Sequence, residues 1–508
     1  MNQLLINIQV IAPVLVPVLC GLLLLVSGKK FTNGRSRNLA VSAVLVLQIV
    51  LTLLAWQGRA QDVVFWNLTK DIPVLFHIDE MSMLFTGLLA VVWLLVGVFS
   101  FEYMKHEDET EHAEAHTRSL RGTTFYGFYL LVLGVMTGVG FAGNLVTFYL
   151  FYEFMTLLSM PFVLHTMTKE AIFAAKKYLF YSVAGASLAV FGFSFLYSVG
   201  GSITFTPGGV FANGLTPGKE GILLVAAFLM VVGFGTKAGM FPMHGWLPSA
   251  HPVAPAPASA VLSGVITKTG VLGIIRVVFY LFGTDVLRGT WVQYAFVALT
   301  LLTVFMGSML AYKEQVFKKR LAYSTVSQVS YVLFGISLMQ PVAFVGALLH
   351  IVYHSVIKCT LFLNAGAVIY KTGKTKVEEL TGIGKEMPVT MWTFTIASLG
   401  LVGIPPVCGF ISKWYLCQGA LESGLGVVEY LGPAVLLISA LLTAGYLISI
   451  TIQAFFPGEG FDYAGLKKQE PAYLMLVPML VFAAAAVLFG ILPDGLAAFC
   501  TELGTVLF

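Results

Sequence analysis

Seven ionisable residues stand inside segments otherwise apolar enough to cross a bilayer: Glu153, Lys237, Lys268, His350, His354, Lys358 and Lys413. A charge at that depth is costly, so such a residue faces a partner or a water-filled path. The types suit proton exchange. Burial and nearby charge decide whether a lysine or carboxylate is charged, and imidazole changes charge near neutral pH. His350, His354 and Lys358 recur at i, i+4 and i+8 in HIVYHSVIK, which stacks them along one helix face. Lys237 precedes Pro242, Gly245 and Pro248, and Lys413 follows Pro405, Pro406 and Gly409. These residues interrupt the helical hydrogen-bond ladder, and broken backbone at membrane depth is tolerated only inside protein or beside a cavity. The pattern predicts an ion route. His244 and His251, in the link after Lys237, are candidates for its entrance and equally for structural roles. Glu153 also fits a structural partner of a lysine, and His350 and His354 fit packing histidines. Arg276, near a segment end, is expected to snorkel to the interface.

The elements that hold these residues follow from composition. Hydrophobic residues make up 58% and charged residues 11%, against roughly 25% charged in soluble domains. The fold class is all-α integral membrane. A crossing needs about 20 apolar residues, and fourteen segments qualify: 4–26, 38–56, 80–103, 123–142, 144–166, 172–199, 221–246, 255–282, 291–311, 322–339, 342–370, 389–420, 427–456 and 472–493. They are spans 1 to 14 below. The first has no basic segment before it and reads as an anchor rather than a signal peptide.

Charge placement supports this division. Of the 29 Lys and Arg residues, twenty fall in loops after odd-numbered spans or, as Lys176 and Lys177, at the turn that opens span 6; four fall in the other loops and five deeper within spans. The positive-inside rule puts the odd-to-even loops in the cytoplasm and both termini outside, in a prokaryotic-type cell membrane. The acidic, histidine-bearing segment 102–116 reads as a solvated loop, without metal-ligand spacing, and 200–218 as an external loop. Cys20, Cys359, Cys408, Cys417 and Cys500 lie in or beside apolar runs without a CxxC pair and read as packing residues. No flavin, haem or iron–sulfur ligand set is visible, so no cofactor is expected in this chain, nor does any nucleophile or nucleotide loop suggest an enzyme acting alone.

Spans 4–8 and 9–13 each contain five helices, and the fourth of each five is long, broken and lysine-bearing. An odd number of spans inverts the second copy, giving inverted repeats with discontinuous helices, as in many ion-coupled transporters. The expected divisions are N-terminal helices in 1–121, a first repeat in 122–285, a second in 286–460, and the last helix with a tail in 461–508.

The stretches GFGTKAGMFPMHGWLPSAHPVAPAPASAVLSGVITKTG, KKRLAYSTVSQVSY, HIVYHSVIK and GIPPVCGFISK resemble the antiporter-like membrane subunits of complex I. The same family includes subunits of multi-subunit cation/proton antiporters and of membrane-bound hydrogenases. The resemblance covers essentially the whole chain. It implies fourteen helices with two inverted five-helix repeats, and a Glu153–Lys237 pair in a first half-channel. It also implies a hydrated axis through Lys268, His350, His354 and Lys358, with Lys413 ending a second half-channel. Lys413 stands where some members carry Glu, and Gln328 where some carry His, which interrupts a protonatable link there. The wording AHPVAPAPASAVLSG is most similar to hydrogenase-linked and antiporter-linked members.

The resulting expectation is a charge relay. Glu153 near Lys237 favours the protonated lysine, and separation frees the proton toward Lys268 and the histidines. The partners implied are other membrane subunits, with a peripheral iron–sulfur/flavin or nickel–iron redox module. The alternative is a gradient-driven Na⁺/H⁺ antiporter subunit, which would use the same axis. A structural scaffold would need neither Glu153 nor the four lysines.

Overall fold

The computed structural model describes residues 3–28, 34–70, 72–110, 115–199, 202–211, 214–458, 460–462 and 466–508, with backbone alone at 106–110 and 115–121. Twelve helices among the described residues are long and apolar enough to cross a membrane. The tenth expected span is the helix Phe317–Ser337, whose hydroxyl and basic residues make it more polar than the rest. The twelfth is a pair of half-helices, Pro388–Val402 and Gly409–Leu421. The segment 102–116, expected as a loop, is helical to Thr110 and again from Ala115; residues 111–114 lie outside the described residues. A short antiparallel hairpin, Asp62–Asn67 with Pro73–His77, precedes the third span.

Burial separates the scaffold from the working interior. The helix over 256–282 is buried along its whole length and the helix Pro341–Thr372 along almost all of it. The first, second and sixth spans leave most of their surface to lipid. All five cysteines are free thiols, three of them buried and Cys20 and Cys417 half-buried.

Close helix approach is built from small residues. On the sixth-span helix, Lys169–Ser198, the buried residues Tyr178, Ser182, Gly185, Ala189 and Gly192 recur at alternating spacings of four and three. This stripe meets the seventh-span helix Glu220–Ala238. A Cβ on Gly185 would stand 2.7 Å from Gly233 O, and one on Gly233 would stand 2.6 Å from Gly185 O. Glycine at both positions lets the backbones touch, the usual basis of helix association in lipid.

Arg276 departs from the sequence expectation. It does not snorkel: it is 2% exposed. Its Nη2 donates to Asp79 Oδ1 at 2.9 Å and to Ser82 Oγ at 3.2 Å. Tyr280 stacks under the guanidinium at 4.3 Å. Asp79 caps the start of the third span, where its carboxylate accepts from Ser82 N. The pair therefore ties span 3 to span 8.

Candidate functional site

Each broken helix is punctuated in the same way. The seventh-span helix ends at Gly239 and the half-helix Pro388–Val402 ends at Gly403, both glycines being left-handed, with φ of 84° and 94°. Only glycine adopts that conformation freely. Proline follows three residues later (Pro242, Pro406) and glycine six residues later (Gly245, Gly409). At Gly409 a Cβ would collide with Gly400 O. In this register Lys237 lies two residues before its marker glycine and Lys413 ten residues after its own. The expectation of corresponding places therefore holds for the helices but not for the residues. Lys237 matches Leu401, and Lys413 matches Ser249.

The Lys237 amine, fully buried, lies in the last turn of its half-helix, at the end whose free carbonyls favour a cation. It donates to Tyr178 Oη at 2.9 Å and to Ser182 Oγ at 3.0 Å. Both acceptors belong to the small-residue stripe, so the glycine contact above brings them within reach. Tyr178 is linked in turn to Ser159 Oγ at 2.7 Å. Glu153, on the helix Leu145–Leu164, is half-exposed, and the Tyr149 hydroxyl, one turn back, acts on its carboxylate. Its carboxylate acts on Lys237 through space, but the direct hydrogen bonds of the amine go to the two hydroxyls. The pair implied by resemblance is thus present as neighbours, not as a closed salt bridge.

The central segment is continuous. Two stretches of the eighth span, Leu262–Ile266 and Arg276–Phe282, are wound as π-helix, a widening common at functional sites. There Ser263 O, five residues back, accepts from Lys268 Nζ at 2.6 Å. The same amine lies 2.7 Å from His354 Nδ1. His354 is followed by His350, with ring centroids 6.0 Å apart. His350 Nδ1 lies 2.9 Å from Ser412 Oγ, and its ring stacks on Tyr331 at 5.6 Å. Lys413, the next residue after Ser412, holds its amine 4.9 Å above the same Tyr331 ring.

Lys358 turns away from this line. It donates to Leu321 O at 3.1 Å and to Ser324 Oγ at 2.7 Å, and Tyr446 Oη donates to the same serine at 2.8 Å. Gln328, between Ser324 and Tyr331 on the tenth-span helix, is buried, and neither amide atom has a hydrogen-bond partner among the described residues. His251 is buried against Phe362, rings 4.6 Å apart, and neither of its nitrogens has a partner among the described residues. Beside it Lys318 Nζ donates to Pro252 O at 3.3 Å. His244 is half-exposed and stacks on Phe241 at 6.0 Å.

The structure therefore brings Lys268, His350, His354 and Lys413 into one line, sets Lys237 with Glu153 to one side, and places Lys358 on a hydroxyl branch. Sequence reasoning passed over Tyr178, Ser182, Ser324, Tyr331, Ser412 and Tyr446. Their signal was hydroxyls at three- and four-residue spacing on apolar helices, a pattern also common in ordinary packing. Each of the four amines makes two hydrogen bonds. A neutral amine has two N–H groups and an ammonium three, so a charged lysine at any of these places directs one N–H to water or to a ring face.

A many-spanned helical bundle with lysines and histidines aligned through its interior defines the class: an ion-translocating, antiporter-like membrane subunit. The chain belongs to the NADH:quinone oxidoreductase/Mrp antiporter transmembrane family, whose model matches residues 142–443. A second model, the N-terminus of complex I chain 5, matches residues 67–112. The chain is 32% identical to NADH-quinone oxidoreductase subunit N of Desulforudis audaxviator, over 72% of this chain and 74% of that protein. It is 28% identical to an Na⁺/H⁺ antiporter subunit of Bacillus subtilis, over 96% of this chain and 94% of that protein. In fold it matches a chain of the membrane-bound sulfane sulfur reductase, an archaeal respiratory membrane complex, with TM-score 0.84, 21% identity and 98% of each chain covered.

Proposed function

We propose that this chain moves protons across a prokaryotic cell membrane as one subunit of a redox-driven, multi-subunit pump. The observation that carries the reading is the contact series Lys268–His354–His350–Ser412, in which the two imidazoles meet ring to ring with centroids 6.0 Å apart, ending one residue from Lys413. Every member but the serine gains or loses a proton. Lys237 feeds this line, Glu153 sets how firmly Lys237 holds its proton, and Lys413 hands the charge on. Lys358 and its hydroxyl branch, with His251 and His244 near the ends of the path, supply access for protons. On this reading the drive comes from neighbouring membrane subunits and a peripheral redox module. Both termini lie on the outer face.

Similarity to an Na⁺/H⁺ antiporter subunit along 96% of the chain favours a second reading, in which an ion gradient replaces the redox drive. Two experiments test these readings. In native membrane vesicles holding the whole assembly, Lys237→Ala abolishes proton movement with assembly intact; unchanged movement rejects the relay. Mild-detergent purification with mass spectrometry separates the drives. Co-purifying iron–sulfur, flavin or nickel proteins support the redox pump, and small membrane proteins alone support the antiporter.

A further inference from the structure

Lys237 sits among three rings. Its Nζ is 4.4 Å from the ring centroid of Tyr178, 5.8 Å from that of Tyr152 and 5.8 Å from that of Trp246. The rings come from three separate elements: the fifth-span helix, the sixth-span helix and the turn after the break. All three are fully buried, and each is braced by a neighbouring ring. Tyr178 packs edge-on to Trp246 at 4.9 Å, and Tyr152 packs edge-on to Phe234 at 5.3 Å. Trp246 is held in place by its own N–H, which donates to Thr236 O at 2.9 Å. The Tyr152 hydroxyl has no hydrogen-bond partner among the described residues. Hydrogen bonding through that hydroxyl therefore does not account for a tyrosine there, whereas its ring face does have a contact, the amine.

We infer that Tyr152, Tyr178 and Trp246 form an aromatic cage that keeps the Lys237 ammonium charged inside the membrane without a carboxylate in contact. Cations within about 6 Å of an aromatic centroid are attracted to the ring's negative face, more strongly where water is excluded. The Tyr178 and Ser182 hydroxyls satisfy two N–H groups, and the third faces the rings of Tyr152 and Trp246. The charged group acting on the amine among the described residues is Glu153; the packed elements otherwise present Tyr178, Ser182 and the rings. In this arrangement Glu153 modulates a charge that the rings already support. The inference rests on the translocation reading for its purpose, but not for its test.

The test keeps the shape of the cage and drains its charge. Position 152, whose hydroxyl makes no hydrogen bond among the described residues, is replaced in the full assembly by phenylalanine, then by mono-, di- and trifluorophenylalanine, which have nearly the same size and a progressively weaker ring face. Lysine is labelled with ¹⁵N, and the Lys237 Nζ signal is assigned by its loss in Lys237→Met. At one fixed, mildly alkaline pH the ammonium-to-amine ratio should fall stepwise along the series, by roughly tenfold in all. A ratio that is the same for phenylalanine and trifluorophenylalanine overturns the cage. Proton transport is measured on the same samples. If Lys237→Met leaves transport intact, the translocation reading fails while the Nζ ratio still decides the cage.

Discussion

Lys413 donates to Leu401 O at 2.6 Å, and to Val402 O at 2.9 Å, across the break of its own span. These are the last carbonyls of the half-helix Pro388–Val402, which lack partners within it. One side chain thus caps one half-helix while rooted in the other. Lys413→Leu leaves both carbonyls bare and should lower stability by about 1–3 kcal/mol. Lys413→Gln keeps a donor and should melt closer to the parent. Neither variant can carry charge, so both should lose proton transport. Thermal melting and vesicle proton uptake, run on the same preparations, check both halves of this expectation.

The contact between Lys268 and His354 is the join between the eighth and eleventh spans along the axis. His354→Gln retains a hydrogen-bonding side chain but cannot change charge. Transport should fall by at least about a hundredfold, the usual scale for losing a positioned acid–base group, while assembly is unaffected. Full transport in this variant would route protons around His354.

Arg276→Ala strands the Asp79 carboxylate, which is largely buried, and should cost about 3–5 kcal/mol. Replacing both partners with apolar residues should recover much of that loss. The pair also predicts acid sensitivity. Burial alone would push the Asp79 carboxyl up, but the Arg276 guanidinium and the Ser82 hydrogen bonds outweigh it and hold the carboxyl at about 2. Its contribution is complete above the ordinary aspartate value of roughly 4 and disappears as pH falls toward 2. Acid melting curves should show the parent losing stability in that window, and the doubly apolar variant losing less.

Gly185→Val would place a Cβ 2.7 Å from Gly233 O, and the two helices must separate. The direct cost is about 1–3 kcal/mol. The functional cost should be larger, because Tyr178 and Ser182 ride on the same helix and leave the Lys237 amine. Loss of transport with near-parental assembly is the expected outcome; Gly221, with open space around it, is the control position.

The sequence made the class, the spans and the ionisable residues legible because lipid imposes a simple rule. Apolar runs of fixed length announce helices, and any charge within them stands out. Lys268, His350 and His354 were therefore visible, and helix periodicity stacked the two histidines on one face, while their meeting with Lys268 was implied by the resemblance alone. The partners were not visible. Tyr178 and Ser324 look like ordinary residues until two helices are laid together, and no local pattern says which helices those are. Arg276 misled for the same reason: a basic residue near a span end fits snorkelling until Asp79, nearly two hundred positions away, is brought beside it. The mismatch between Lys237 and Lys413 was hidden because the marker glycines, not the lysines, set the register.

That register gives the molecule a direction. Four crossings lie between the two broken spans, so they run oppositely through the bilayer. Lys237 precedes its break and Lys413 follows its own. Reversing the path as well as the order leaves both amines on half-helices facing the same compartment. Perfect twofold inversion would have put one on each side. The duplicated frame instead places both of its terminal lysines on the same side of their breaks, so its two halves are alike in backbone and unlike in charge.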